Sequence, residues 1–186
     1  MAAGVFYESM VLGAGGTPVR VRVEPTTFDL DVDGIEAALT PRTRVVLINT
    51  PNNPTGRIYP PATLARLADA LRRRGGFRDR PVYLLSDESY RKVLFDGHRM
   101  VSPAAFYERT LLVHTYSKNA LAPAQRHGYL ALPPSMPGRA RLRPLGWRRP
   151  TRSWVESSDD ARGTTRVHCG HPQPPRRTPC RRGALR

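Results

Sequence analysis

The sequence predicts an α/β fold, a mostly parallel β-sheet with flanking helices, and three observations carry that expectation. Residues 44–49, 81–86 and 111–114 form short, near-continuous apolar runs, the character of strands buried on both faces. Each run passes directly into polar or turn-forming residues, as a strand does where it opens into a loop. Between the first two runs, Leu64, Leu67, Ala68 and Leu71 recur at helical spacing. Strand, loop, helix and strand in this order describe a sheet covered on both faces.

Taken in order, residues 1–16 are apolar-rich but broken by Gly4, Glu8 and Gly13, and read as an ordinary segment. Residues 19–23, Val-Arg-Val-Arg-Val, alternate cleanly and predict a short strand with one wet face. Residues 25–33 read as loop, with Asp33 as the N-cap of a short helix over 35–39 that Pro41 stops. The strand at 44–49 runs into PNNPTG at 51–56, a rigid polar turn. A helix is expected over 61–74, with Pro61 in its first turn and Gly75-Gly76 ending it. The second strand ends at Asp87, and a short helix is expected within 103–107. The third strand leads to Lys118, and a fourth, over 128–132, is closed by Pro133-Pro134.

The 186 residues are 39% hydrophobic and 24% charged, enough for one domain with a real core. No apolar run approaches the roughly 18 residues that a membrane helix needs. The N-terminus has neither a basic region nor a long apolar stretch, so no secretory signal is expected and the expected location is cytoplasmic. The formal charge of +15 is unevenly distributed: residues 139–186 hold 13 arginines against three acids, whereas residues 1–138 carry a net +5. The tail is rich in Arg, Pro, Ser, Thr and Gly without apolar periodicity and is expected to be mostly disordered or only loosely attached. It has neither an aromatic platform nor a recognition helix, so nucleic-acid binding is not expected of it. His168, Cys169, His171 and Cys180 have poor metal-ligand spacing, and no metal site is expected.

The ends of the three apolar runs deliver chemically distinct groups: Asn53 after the first, Asp87 and Tyr90 after the second, and Thr115, Ser117 and Lys118 after the third, with Arg126 eight residues on. A lysine at a strand end is an amine nucleophile, a phosphate contact or an ordinary surface charge, and spacing alone does not choose among these. Parallel strands place all these groups on one rim of the sheet. Such a set suits an anionic ligand with a ring nitrogen and a carbonyl carbon. Lysine forms a Schiff base, aspartate holds a pyridinium nitrogen protonated, and hydroxyls with an arginine bind phosphate. These are the requirements of a pyridoxal 5′-phosphate site.

PNNPTG at 51–56, SDESY at 86–90 and TYSKNALAPAQRHGY at 115–129 stand in this order and separation. In them the chain resembles the class I/II pyridoxal-phosphate-dependent aminotransferases, with the aspartate-aminotransferase type of fold. The resemblance covers roughly residues 5–138, which implies a partial large, cofactor-binding domain over 1–138 followed by the tail. It implies that Lys118 forms the aldimine and moves the proton, that Asp87 pairs with the pyridinium nitrogen, and that Tyr90 and Asn53 hydrogen-bond the ring oxygen. Thr115, Ser117 and Arg126 would hold the phosphate. The implied reaction moves an amino group between an amino acid and a 2-oxo acid, and the implied assembly is a homodimer.

The chain also departs from the family pattern. Gly4 stands where the family has an aromatic residue stacked on the cofactor, and Ala124 where it commonly has glycine. The usual phosphate-binding turn has no counterpart, and the arginine that clamps the substrate carboxylate is assigned to no residue. A lyase of the same fold, or a truncated non-catalytic domain, are the competing expectations.

Overall fold

The computed structural model describes residues 6–74, 80–118, 128–142, 154–159 and 165–170. Its elements are α1 (Phe6–Gly13), α2 (Val32–Ala38), β1 (Val45–Asn49), α3 (Pro61–Arg74), β2 (Tyr83–Asp87), β3 (Thr110–Thr115), β4 (Gly128–Ala131), α4 (Arg139–Leu142), β5 (Trp154–Asp159) and β6 (Thr165–Gly170). Two 3-10 turns, Pro103–Ala105 and Tyr116–Lys118, bracket β3.

The main sheet has the order β1-β2-β3-β4, with β1, β2 and β3 parallel and β4 antiparallel to β3. The register pairs Asn49 with Asp87, and Asp87 with Val113, so the three parallel strands end almost level. The expected α/β class and mostly parallel sheet are therefore present. Side chains alternate along β2 and β3, fully buried on one face and half-buried on the other. The buried face carries Ile48, Val82 and Leu84 against Val32 and Ile35 from α2 and Leu64, Leu67, Ala68 and Leu71 from α3. The helical stripe seen in the sequence is thus the α3 core face. Each fully buried leucine contributes about 1.5–3 kcal/mol of transfer free energy, which anchors the strands whose ends carry the polar groups.

Several expectations are corrected. Residues 19–23 form no ladder strand; Val23 makes an isolated antiparallel bridge with Leu30, and Val19 is 67% exposed. Alternation marks a strand only when a neighbour supplies hydrogen bonds. The N-cap of α2 is Asp31, whose Oδ1 accepts from the Gly34 N–H at 2.8 Å, rather than Asp33. Asp33 lies in the first turn and pairs with Arg66 of α3 on the surface. Gly34 fits this cap because a Cβ there would meet Asp31 Oδ2 at 2.2 Å. Residues 6–13, read only as an ordinary segment, form the helix α1. Within the tail, β5 and β6 pair antiparallel in a two-stranded sheet that no apolar pattern foreshadowed. Gly75 and Gly76 lie outside the described residues, as does Ala124. Among the described residues no helix is long and apolar enough to cross a membrane.

Candidate active site

The ends of β1, β2 and β3 build one polar rim. Residues 51–56 leave β1 as a tight turn with cis peptide bonds before Pro51 and Pro54 and Gly56 at φ +71°. Asn52 Oδ1 accepts from the Thr55 hydroxyl at 3.0 Å, which ties the turn to itself. The turn carries Asn53, whose Nδ2 donates to the Tyr90 hydroxyl at 3.3 Å. Two of the expected residues, 37 positions apart in sequence, therefore touch.

Asp87 closes β2, and both its carboxylate oxygens are engaged. Oδ1 accepts from the Ser89 N–H at 2.9 Å and from the Ser89 hydroxyl, an Asp turn that fixes the side chain locally. Oδ2 accepts a hydrogen bond from the hydroxyl of Tyr7, in the first turn of α1. Burial, with the adjacent carboxylate, pushes the Tyr7 phenol well above its ordinary pKa, so it stays a proton donor to Asp87.

Lys118 ends the 3-10 turn after β3 and is exposed, with Nζ 5.7 Å from the Tyr90 ring centroid. Beneath that turn His114, Tyr116 and Tyr129 pack their rings together, with centroid separations of 5.1–5.9 Å. The cluster ties the turn to β3 and β4. Gly128 allows the approach of those strands, since a Cβ there would meet the His114 carbonyl oxygen at 2.6 Å. The Thr115 hydroxyl donates to Ser117 Oγ at 3.1 Å and accepts from the Ser117 N–H at 3.2 Å. Arg126 lies outside the described residues. An open cleft of about 440 Å³ beside Lys118 is lined also by Lys92, Val93, Leu94 and Phe95.

Glu88, next to Asp87 in sequence, is fully buried. Its Oε1 accepts from the hydroxyls of Ser86 and Ser102, and Arg91 lies 3.5 Å from Oε2. Its backbone oxygen lies 2.9 Å from His114 Nδ1. A carbonyl only accepts, so Nδ1 carries the proton, and burial holds the His114 pKa below its ordinary value. Burial raises the Glu88 pKa against the opposing influence of Ser102, Arg91 and Ser86. A carboxyl whose folded pKa is raised contributes stability that is full below the ordinary glutamate range and is lost as pH rises through the folded value. Stability of the parent should therefore fall with rising pH across that window, and Glu88→Gln should flatten the slope. Urea melts at stepped pH check this, and an identical slope in the variant would exclude Glu88 as its source.

Asn53, Asp87, Tyr90, Thr115, Ser117 and Lys118 thus come from three separated segments to neighbouring strand ends. Tyr7, Ser89 and Asn49 join them without having been singled out as site residues. Ser89 was visible in principle from its Asp-x-Ser spacing, whereas Tyr7 lies 80 residues from Asp87 in sequence.

Comparison with known proteins decides the family. Residues 5–150 match the family described as aminotransferase class I and II. The chain belongs to that family. It is 40% identical over 134 residues to the aspartate/prephenate aminotransferase of Cereibacter sphaeroides, which covers 69% of this chain and 32% of that protein. It is 38% identical over 133 residues to aromatic-amino-acid aminotransferase 2 of Thermococcus litoralis, covering 69% and 33%. Among solved structures, an amino transferase from Eubacterium rectale superimposes with a TM-score of 0.73 at 33% identity, covering 76% of this chain and 35% of that one. A tetra mutant of Thermus thermophilus aspartate aminotransferase gives 0.62 at 37% identity, covering 69% and 34%. The aminotransferase-like chain thus spans about a third of the length of the curated relatives it matches.

Proposed function

We propose that this chain carries the cofactor-binding core of a pyridoxal-phosphate-dependent aminotransferase, which moves an amino group between an amino acid and a 2-oxo acid. The observation that carries the reading is the convergence of Asn53, Tyr90 and Lys118, at 3.3 and 5.7 Å, at the strand ends where Asp87 closes β2. The donor set fits the cofactor chemically. Asp87 offers a carboxylate to a ring N–H, Asn53 and Tyr90 offer donors to a ring oxygen, and Thr115 and Ser117 offer hydroxyls to a phosphate. Arg126 completes the phosphate set in this reading. When bound, the cofactor supplies an electron sink for the carbanion formed at a substrate Cα.

The protein's own residues then have distinct tasks. Lys118 supplies the amine nucleophile and the base that carries a proton at Cα. Asp87, held by Ser89 and Tyr7, keeps negative charge at the ring nitrogen. Tyr90 and Asn53 orient the ring between them. The homodimer implied by the resemblance and the cytoplasmic location expected from the sequence belong to the same proposal.

Titrating the purified chain with pyridoxal 5′-phosphate and recording its visible spectrum tests the reading. A saturable new band is expected. Aspartate, an aromatic amino acid and kynurenine, named for the relatives, then serve as donors with oxoglutarate as acceptor. Formation of the matching 2-oxo acid with oxoglutarate-dependent turnover supports transamination, whereas ammonia release without an acceptor supports the lyase alternative. A folded chain with no spectral response would sink the cofactor reading.

A further inference from the structure

Asn49 is the last residue of β1 and is 5% exposed, a polar side chain at the end of an otherwise apolar strand. Its Nδ2 donates to the backbone oxygen of Asp87 at 3.0 Å, and its Oδ1 accepts from the backbone N–H of Asn53 at 2.8 Å. The same Asp87 oxygen takes the Thr50 N–H at 3.0 Å. Asn53 in turn donates to Tyr90, three residues beyond Asp87. The bonds close a ring, from Asp87 through Asn49 and Asn53 to Tyr90 and back along the chain to Asp87.

We propose that Asn49 is a positioning residue for the cofactor site: its amide sets the separation between the turn that carries Asn53 and the strand end that carries Asp87. The assignment rests on the function proposed above. A primary amide of this length is needed because one end must donate to a carbonyl while the other accepts from an N–H. Aspartate keeps the acceptor and loses the donor, serine is too short to span both groups, and leucine offers neither. Burial raises the stakes, since an unpaired polar group here has no water to replace its partner. Asn49 touches neither of the groups offered to the ring; it acts on where they stand, and small misplacements of such groups are costly.

The test compares the full chain with Asn49→Ala, the near-isosteric Asn49→Asp, Asn53→Ala, and the double variant Asn49→Ala/Asn53→Ala. Pyridoxal 5′-phosphate affinity is read from the visible titration. Asn49→Ala should bind about 10-fold more weakly, the loss of one or two net hydrogen bonds. Its effect should be smaller in the Asn53→Ala background, because a residue that acts through Asn53 has less left to position. Amide hydrogen exchange supplies a readout that needs no cofactor: the Asn53 N–H should exchange about 10-fold faster in Asn49→Ala and keep its protection in Asn49→Asp. A lowered melting midpoint with unchanged cofactor affinity in both Asn49 variants makes Asn49 merely structural and overturns the proposal, as does strict additivity with Asn53→Ala. If the parent itself binds no cofactor, the functional reading fails and the positioning role falls with it. Binding by the parent together with unaffected Asn49 variants removes the positioning role alone.

Discussion

Lys118→Ala is expected to lose all covalent attachment of pyridoxal 5′-phosphate while keeping its fold. Lys118 is exposed, and its one described aromatic contact, 5.7 Å to the Tyr90 ring centroid, is of a kind that contributes about 0.5–1 kcal/mol at such sites. Its removal therefore costs little stability, but it removes the amine assigned here to imine formation, and Lys92, which lines the same cleft, is the amine left beside it. Lys118→Arg separates the two roles of the side chain, since a guanidinium keeps the charge and does not supply the nucleophile. After borohydride treatment, mass spectrometry should find the cofactor joined to the parent chain and to neither variant. Urea melts should place Lys118→Ala within about 0.5 kcal/mol of the parent. Cofactor still fixed to the alanine variant would remove Lys118 from the proposed chemistry.

Asp87→Asn is the second large effect, because it alters both the ring partner and the site's own wiring. The carboxylate accepts from the Ser89 N–H and hydroxyl at one oxygen and from Tyr7 at the other. An amide has a single acceptor oxygen, so one of these donors must face an NH₂ group. It also lacks the negative charge that pairs with a protonated ring nitrogen. Cofactor affinity is expected to fall about 10- to 100-fold, the range for a lost charge-assisted hydrogen bond. Any transamination should fall further than affinity, since the charge matters most where the ring accepts electrons. Visible titration and single-turnover assays with the same donor read the two effects separately. Parent-like values in both would show that Asp87 does not pair with the ring.

The parts of the fold that were readable in advance are those governed by local periodicity. The runs that became β1, β2 and β3 are apolar because the strands are buried in a parallel sheet, and Leu64, Leu67 and Leu71 mark α3 because one helical face meets that sheet. The failures have equally physical causes. Val19, Val21 and Val23 alternate like a strand, yet a ladder needs a neighbouring strand in register, and Val23 makes an isolated bridge with Leu30. Asp31 displaced Asp33 as the α2 cap because capping depends on which side chain reaches a free N–H, here that of Gly34 at 2.8 Å.

For the candidate site, sequence motifs singled out Asn53, Asp87, Tyr90, Thr115, Ser117 and Lys118 as candidates, because side-chain chemistry and strand-end position are written along the chain. They were also enough for the family, which the comparisons bear out. Which groups touch was decided only by tertiary structure. The Asn53–Tyr90 contact, the Tyr7 hydroxyl on Asp87 and the amide of Asn49 between β2 and the turn all join residues remote in sequence. Their geometry depends on strand register, with Asn49 level with Asp87. Register is set by the packing of whole strands, and no short motif contains that information.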